Sequence, residues 1–452
     1  MLGAFSERER RAGGDWSELE SRILGLISQP APEPMEFGGS SISVVNLSMI
    51  ENLSVAERLL ARMLDGERWE QCRSRSCSER CPIYRNVELM RANEAIVHER
   101  MFLAYRRMHE YGTRLTLRQL SAHLAYMITS GLSCSGILHE ADSSQWPLVS
   151  DFAFFNRFFG DNGREVDGGA QQLRAIRAVR EQSFGAHPCP SWERRIWLHC
   201  DASAFVPQAD GCEEEFERLR QLGLGRTAVD GLTQAQARQQ VRRMLFFLHR
   251  GDPTEDEALV GTFLNSKMIV SFVRWQRSEA NLSRTERIGL ERSVLHVLQE
   301  HFTGVRLPEG SRLDPNLYIT LSRRSHEVRQ SAQIVLAHFP ENHFELRLRP
   351  VADGFGGTRR ELVLTVRSER AGTQLLLELP FLDYVMMRQQ GEVGQYLQTS
   401  HVDRLEKFKG ALLAGVGCSR GDDGMLVRLR TNHTFRRQIY AVDGERLEVF
   451  DD

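Results

Sequence analysis

The hydrophobic period of this chain changes once, and that change restricts its architecture more than any motif does. From Asp151 to Phe302 apolar residues recur at helical spacing, as in "QQLRAIRAVREQ", "EEEFERLRQLG", "QAQARQQVRRMLFFLHR" and "RTERIGLERSVLHVLQEHF". After Pro315 they alternate instead, in "LYITLS", "HFELRLRP", "RELVLTV" and "TQLLLELP". A period near 3.6 draws one apolar stripe along a helix, whereas a period of two makes one buried face of a strand. The expected fold is therefore mixed α and β: a helical domain, then an antiparallel β or α+β C-terminal domain. One helix, "VDRLEKFKGALL", interrupts the strands, and the turn Asp443–Gly444 marks a terminal hairpin.

The preceding stretch reads as an opening helix, "WSELESRILGLISQ", a break at Pro30, Pro32 and Pro34, and a strand-like run, "SISVVNL". Ser54 and Glu57 in "SVAERLLARMLDG" have the spacing of a capping box, and Gly66 ends that helix. Thr116 caps "LTLRQLSAHLAYMITSG", whose Leu117, Leu120, Leu124 and Met127 share a face, and Ser130–Gly131 closes it. The domains expected are 1–66, a partial α/β segment; 67–150, a cysteine-rich loop with helices; 151–310, helical; and 311–452, β-rich.

Three cysteines, Cys72, Cys77 and Cys81, fall in "WEQCRSRSCSERCPIYRN" with the spacing C-x4-C-x3-C. Thiolates crowded in a polar, arginine-rich loop suit a soft cation, and zinc is the expected one. A tetrahedral site needs a fourth ligand. Cys134 in "GLSCSG" is the first choice, with His98, His109 and His139 as alternatives. The competing reading is that these cysteines fill a packed loop as small apolar groups. Cys189, Cys200, Cys212 and Cys418 are scattered and read as buried or incidental.

Hydrophobic residues make up 41% and charged residues 26%, as in soluble globular proteins, and the net charge is −2. Nucleic acid must then be engaged through local patches. Two such patches are Arg242 and Arg243 in "ARQQVRRMLFFLHR" and Arg323 and Arg324 in "SRRSHEVR". The alternative is a solvated helix face balanced by Glu255 and Glu257. Phe246, Phe247 and Trp275 read as core rather than as a base-stacking platform. The opening "MLGAFSERERRAGGDW" lacks the apolar segment of a signal peptide, and no apolar run reaches transmembrane length. A cytoplasmic location without membrane partners is expected.

Lys267, Lys407 and Lys409 are the only lysines. None follows an acidic residue by two positions, which excludes a PD-(D/E)xK nuclease site. No G-x-S-x-G elbow is present for a hydrolase. His401, Asp403 and Glu406 are close in sequence but project mostly to different faces of a helix.

From Ser41 to Phe159 the order "LLARMLDGERWEQC…C…CPIYRN", "LTLRQLSAHLAYMITSG…C" and "FFNRFFG" resembles bacterial anti-phage AAA+-type ATPases, in particular the DptF family of phosphorothioation-dependent restriction ATPases. The resemblance implies that residues 1–66 are an α/β remnant of an AAA+ core, with "SISVVNLS" as a late strand of the nucleotide-binding sheet. A helical lid would follow. It also sets Arg118 where such proteins place a sensor-2 arginine, whose guanidinium reaches the γ-phosphate. The alternative is a surface arginine in a first helical turn. The departure is the phosphate loop: no G-x4-G-K-[ST] string exists, and "DGFGGTRRE" and "GVGCSRGDD" lack its lysine. "LLLELPFLDY" lacks the acidic pair of a Walker B strand. The resemblance thus implies a subunit or fragment without its P-loop half, using ATP only if a partner ATPase subunit supplies that loop. It would couple that partner to an effector, with DNA as a further partner. No ATP turnover is expected from the chain alone.

Overall fold

Helices dominate the first half of the computed structural model and antiparallel sheets the last third. It describes residues 16–27, 34–37, 39–44, 52–75, 77–78, 81–140, 152–163, 165, 168–198, 205, 212–228, 231–304, 316–320, 332–352, 358–367, 373–391, 397–416, 424–429, 435–443 and 446–451. Two compact units divide at Val270–Ser271, whereas the change of hydrophobic period lies at Pro315. The last long helix before the strands therefore belongs to the β-rich unit.

The first unit opens with α1 (Trp16–Ile27) and a two-stranded antiparallel hairpin, β1 (Met35–Phe37) with β2 (Ser40–Ile42). Helices α2 (Asn52–Met63), α3 (Pro82–Ala92), α4 (Glu94–Glu110), α5 (Leu117–Thr129) and α6 (Cys134–Glu140) follow. Then come α7 (Arg174–Glu181), α8 (Pro190–Leu198), α9 (Cys212–Gly223), α10 (Gln234–Leu248) and α11 (Pro253–Phe263). Helix α4 is buried without interruption from Arg100 to Met108, as befits a central helix surrounded by others.

The caps explain where these helices begin. Thr116 Oγ1 accepts from the Gln119 amide at 3.3 Å, and Gln119 Oε1 accepts from the Thr116 amide at 2.9 Å. Two of the orphan donors of α5 are thereby satisfied. Ser130 (φ 56°) and Gly131 (φ 74°) then adopt left-handed backbone and stop the helix. Of the four residues read as its apolar face, Leu120, Leu124 and Met127 are buried while Leu117 is exposed. Thr116→Ala should lower unfolding free energy by about 1 kcal/mol in urea titration. An unchanged urea midpoint would mean that the box contributes nothing. Helix α2 departs from expectation: it starts at Asn52, so Ser54 lies inside it. Asn52 Nδ2 donates to the Leu115 carbonyl at 3.2 Å, a tertiary bond that extends the helix past the local signal.

An aromatic cluster forms the core. Phe154, Phe155, Phe158 and Phe159, around the single helical turn Phe154–Arg157, are buried: Phe154 and Phe158 pack on Phe247, Phe159 on Phe263 and Phe155 on Phe154, and Phe246 stacks on Phe263 with centroids 4.1 Å apart. Phe246, Phe247 and Trp275 are all buried, as read from the sequence.

The second unit holds α13 (Arg284–Thr303), with α12 (Ile269–Gln276) spanning the division. Its strands are β3 (Asn316–Thr320), β4 (Ala332–Pro340), β5 (Phe344–Ala352), β6 (Thr358–Val366), β7 (Gln374–Leu376), β8 (Gly424–Leu429), β9 (Phe435–Asp443) and β10 (Arg446–Asp451). They form a five-stranded sheet, β10-β9-β8-β4-β3, and a three-stranded sheet, β5-β6-β7. The expected terminal hairpin is present, with Asp443 opposite Arg446. Helix α13 lies on β3, where Gln299 Oε1 accepts from the Tyr318 amide at 2.6 Å. The segment read as one strand, "TQLLLELP", ends after β7, and α14 (Leu379–Gln389) begins with Pro380 in its first turn. Helix α15 (Thr399–Val416) contains the predicted "VDRLEKFKGALL". No helix among the described residues is long and apolar enough to cross a membrane.

Candidate metal centre

The cysteine loop hangs between α2 and α3. Trp69 Nε1 donates to the Met63 carbonyl at 2.8 Å, tying the turn Gly66–Trp69 to the end of α2. A one-turn helix, Glu70–Arg73, carries Cys72, and successive turn bonds lead onward: Arg75 N to Cys72 O, Ser78 N to Arg75 O, and Cys81 N to Ser78 O. Cys81 occupies the N-cap of α3 ahead of Pro82. The amides of Ile83 and Tyr84 face its sulfur and favour the ionised form, although neither closes a regular side-chain cap.

Cys134 arrives from the other direction. The left-handed pair Ser130–Gly131 turns the chain out of α5, and Ser133 caps α6 through its Oγ on the Gly136 amide at 3.3 Å. Buried Asn86 joins the two sides. Its Nδ2 donates to the carbonyls of Ile128 (3.1 Å) and Phe152 (2.8 Å), and its Oδ1 accepts from the Phe154 amide at 2.9 Å. Helix α3 is thus fastened to the C-terminal end of α5.

Cys77 and Cys134 act on both Cys72 and Cys81. Burial pushes the Cys72 thiol up, the Cys134 and Cys77 sulfurs add to this, and Arg75 opposes it. Burial likewise pushes Cys81 up, with Cys77 and Cys134 contributing in the same sense. Ionising this group without a cation therefore sets negative charges against each other. Cys81 is buried, Cys72 and Cys77 are half-buried, Cys134 is exposed, and all four are free thiols. As they stand, no three His, Cys, Asp or Glu side chains among the described residues are arranged to hold a metal ion. The donor set suits a soft cation, and coordination requires the thiols to draw closer. Of the alternative ligands, His98 has a buried Nε2 without a partner, and burial lowers its basicity.

The other predicted residues are distributed differently. Arg118 is exposed in the first turn of α5 and bonds to no described side chain. Arg242 and Arg243 are committed to the fold. Arg242 Nε donates to Glu193 at 2.5 Å and its Nη1 to the Gly185 carbonyl at 3.1 Å. Arg243, 5% exposed, grips both oxygens of Asp161 at 2.6 and 3.0 Å and lies 4.2 Å from the Phe159 ring centroid. Their guanidinium forks point at protein carboxylates, which leaves no free fork for a phosphate. Arg323 and Arg324 lie outside the described residues, as do Cys200 and Cys418. Cys189 and Cys212 are buried.

Three arginines not singled out in the sequence, Arg114, Arg174 and Arg177, line one cleft. The available signal was the spacing of Arg174, Arg177 and Glu181 opposite the apolar stripe of a short helix. Comparison of the chain with protein-family models, with curated proteins and with solved structures finds no match in any of the three.

Proposed function

We propose that this chain is a non-enzymatic, zinc-stabilised adaptor: a helical scaffold that presents a binding surface to nucleic acid or protein. Cys72, Cys77, Cys81 and Cys134 would be its ligands. What supports the reading is that Cys77 from the loop and Cys134 from beyond α5 each lie within electrostatic reach of both Cys72 and Cys81. A four-thiolate site has no open coordination position, so its role is to pin elements rather than to activate water. The metal would fasten the loop after α2 to the starts of α3 and α6.

Elemental analysis of the purified protein should find about one zinc per chain, and Co²⁺ exchanged into it should give thiolate-to-metal charge-transfer absorption. Cys77→Ser/Cys81→Ser should lose both signals. Protein without metal, or a double variant that keeps its zinc, sinks the proposal.

Arg118 favours a second reading, a subunit of an AAA+-like defence ATPase that couples a partner's nucleotide state to a DNA-handling effector. Its guanidinium is exposed and bonds to no described side chain, so it is free to reach a γ-phosphate held by a neighbouring P-loop subunit. On this reading Arg118→Ala slows ATP turnover by the mixed assembly without altering the melting of the isolated chain. Turnover by the isolated chain would refute both readings.

A further inference from the structure

Between the turn Gly112–Leu115 and one face of α7 lies a cleft of about 700 Å³. The helix is divided by its sequence. Ala175, Ile176 and Val179 are buried, while Arg174, Arg177 and Glu181 face outward. Arg174, Arg177, Ala178 and Glu181 fall at i, i+3, i+4 and i+7, so they form a single stripe along the cleft wall. Arg114 enters from the opposite wall.

The three arginines are uncommitted among the described residues. None of Arg114, Arg174 and Arg177 forms an ion pair or side-chain hydrogen bond with a described residue. Elsewhere on this near-neutral chain exposed arginines often hold a carboxylate, as Arg250 holds Glu99 and Arg349 holds Glu361. Glu181, the one acidic residue in the described lining, is bonded to none of the three. The cleft wall thus carries three positive groups against one negative group.

The lining also limits the ligand. No aromatic ring stands among the described lining residues, so they offer no platform on which a base could stack. Leu115 and Ala178 offer little apolar surface against which a peptide could bury side chains. The amides of Gly112 and Thr113 are already given to the His109 and Met108 carbonyls, which leaves guanidinium groups as the main donors. Donors spread over two walls of a cleft this large suit several phosphates rather than one.

We infer that this cleft binds the sugar–phosphate backbone of nucleic acid without reading its sequence. The inference rests on the adaptor reading for the class of partner, but it does not depend on zinc.

The test is fluorescence anisotropy of the full chain with a labelled mixed-sequence DNA duplex over a series of salt concentrations. The variant is Arg114→Ala/Arg174→Ala/Arg177→Ala. A charge-matched control, Arg347→Ala/Arg349→Ala/Arg367→Ala, removes three carboxylate-paired arginines. The cleft variant should bind at least about tenfold more weakly, with the slope of log K against log salt shallower by about two to three. The control should change affinity by less than about twofold. If the cleft variant loses its helical circular dichroism, Arg177→Gln alone should still flatten the slope by about one.

Equal binding by the two triple variants overturns the inference. So does displacement of DNA by polyglutamate at matched ionic strength, which would indicate an acidic protein partner. Inorganic phosphate that competes beyond its ionic strength would mark a small-anion site and overturn it as well. Zinc content measured on the same samples separates the two proposals. Arginine-dependent DNA binding by metal-free protein removes the zinc and leaves the cleft, and zinc-loaded protein without such binding does the reverse.

Discussion

Replacing Asp161 by alanine is expected to lower the unfolding free energy of the first unit by about 3–5 kcal/mol. The carboxylate takes both terminal nitrogens of Arg243, lies 3.5 Å from Arg180, and accepts from the Gly163 amide at 2.9 Å. Arg243 is nearly inaccessible to water, and its Nε already has no partner. Without Asp161 a guanidinium charge remains in the core, and among the described residues Asn156 Oδ1, at 3.3 Å, and the face of Phe159 lie beside it. An unpaired buried charge is far more costly than a missing pair, so Asp161→Ala/Arg243→Met should regain a large part of the loss. Urea unfolding of the two variants measures this directly. A loss below about 1 kcal/mol for Asp161→Ala would mean that water reaches Arg243 and that the pair is a surface one.

Acid should weaken the same unit through His123. Its Nε2–H donates to the Phe158 carbonyl at 2.8 Å, and in the neutral ring its Nδ1, 2.8 Å from the Tyr105 hydroxyl oxygen, accepts from that hydroxyl. Burial holds the His123 pKa down to about 4, although the Phe158 carbonyl pulls the other way. The sign follows from linkage. In the unfolded chain the ring takes a proton as pH falls through about 6.5, while in the folded chain it does so only near 4. The unfolded state therefore binds more protons across that window, and stability falls with pH by about 3 kcal/mol before levelling off below it. His123→Gln removes the titration and keeps an amide for the same partners. The pH dependence of its urea midpoint between about pH 6.5 and 4 should be flatter than that of the parent by this amount. Parallel curves would show that His123 takes its proton at the same pH in the folded and the unfolded chain.

Features governed by adjacent residues were legible in the sequence. Thr116 and Ser130–Gly131 bound α5 because cap chemistry acts within a few residues. The hairpin at Asp443 and the shift from helices to strands follow from turn chemistry and period in the same way. Features governed by distant partners were not. Ser54 and Glu57 have the spacing of a box, yet the Asn52–Leu115 bond moves the start of α2. Strand β4 carries a continuous apolar run, Ile334 to Ala337, that period alone cannot separate from a helix. Adjacency in the sequence suggested a basic patch at Arg242 and Arg243 but does not reveal that Glu193 and Asp161 come to meet them. In the candidate metal centre, residue type alone pointed to Cys134. Its approach to Cys72 depends on the reversal after α5, which Ser130 and Gly131 foreshadow only in part.

The three hydrogen bonds of Asn86 give the molecule a means of communication. A rigid helix that begins at Cys81 ends its first turns on the backbone that leads into Phe154. These bonds connect the start of α3 to the rings packed around Phe247. If the proposed zinc binds the thiol cluster, its removal should register in the near-ultraviolet dichroism of the phenylalanines around Phe247.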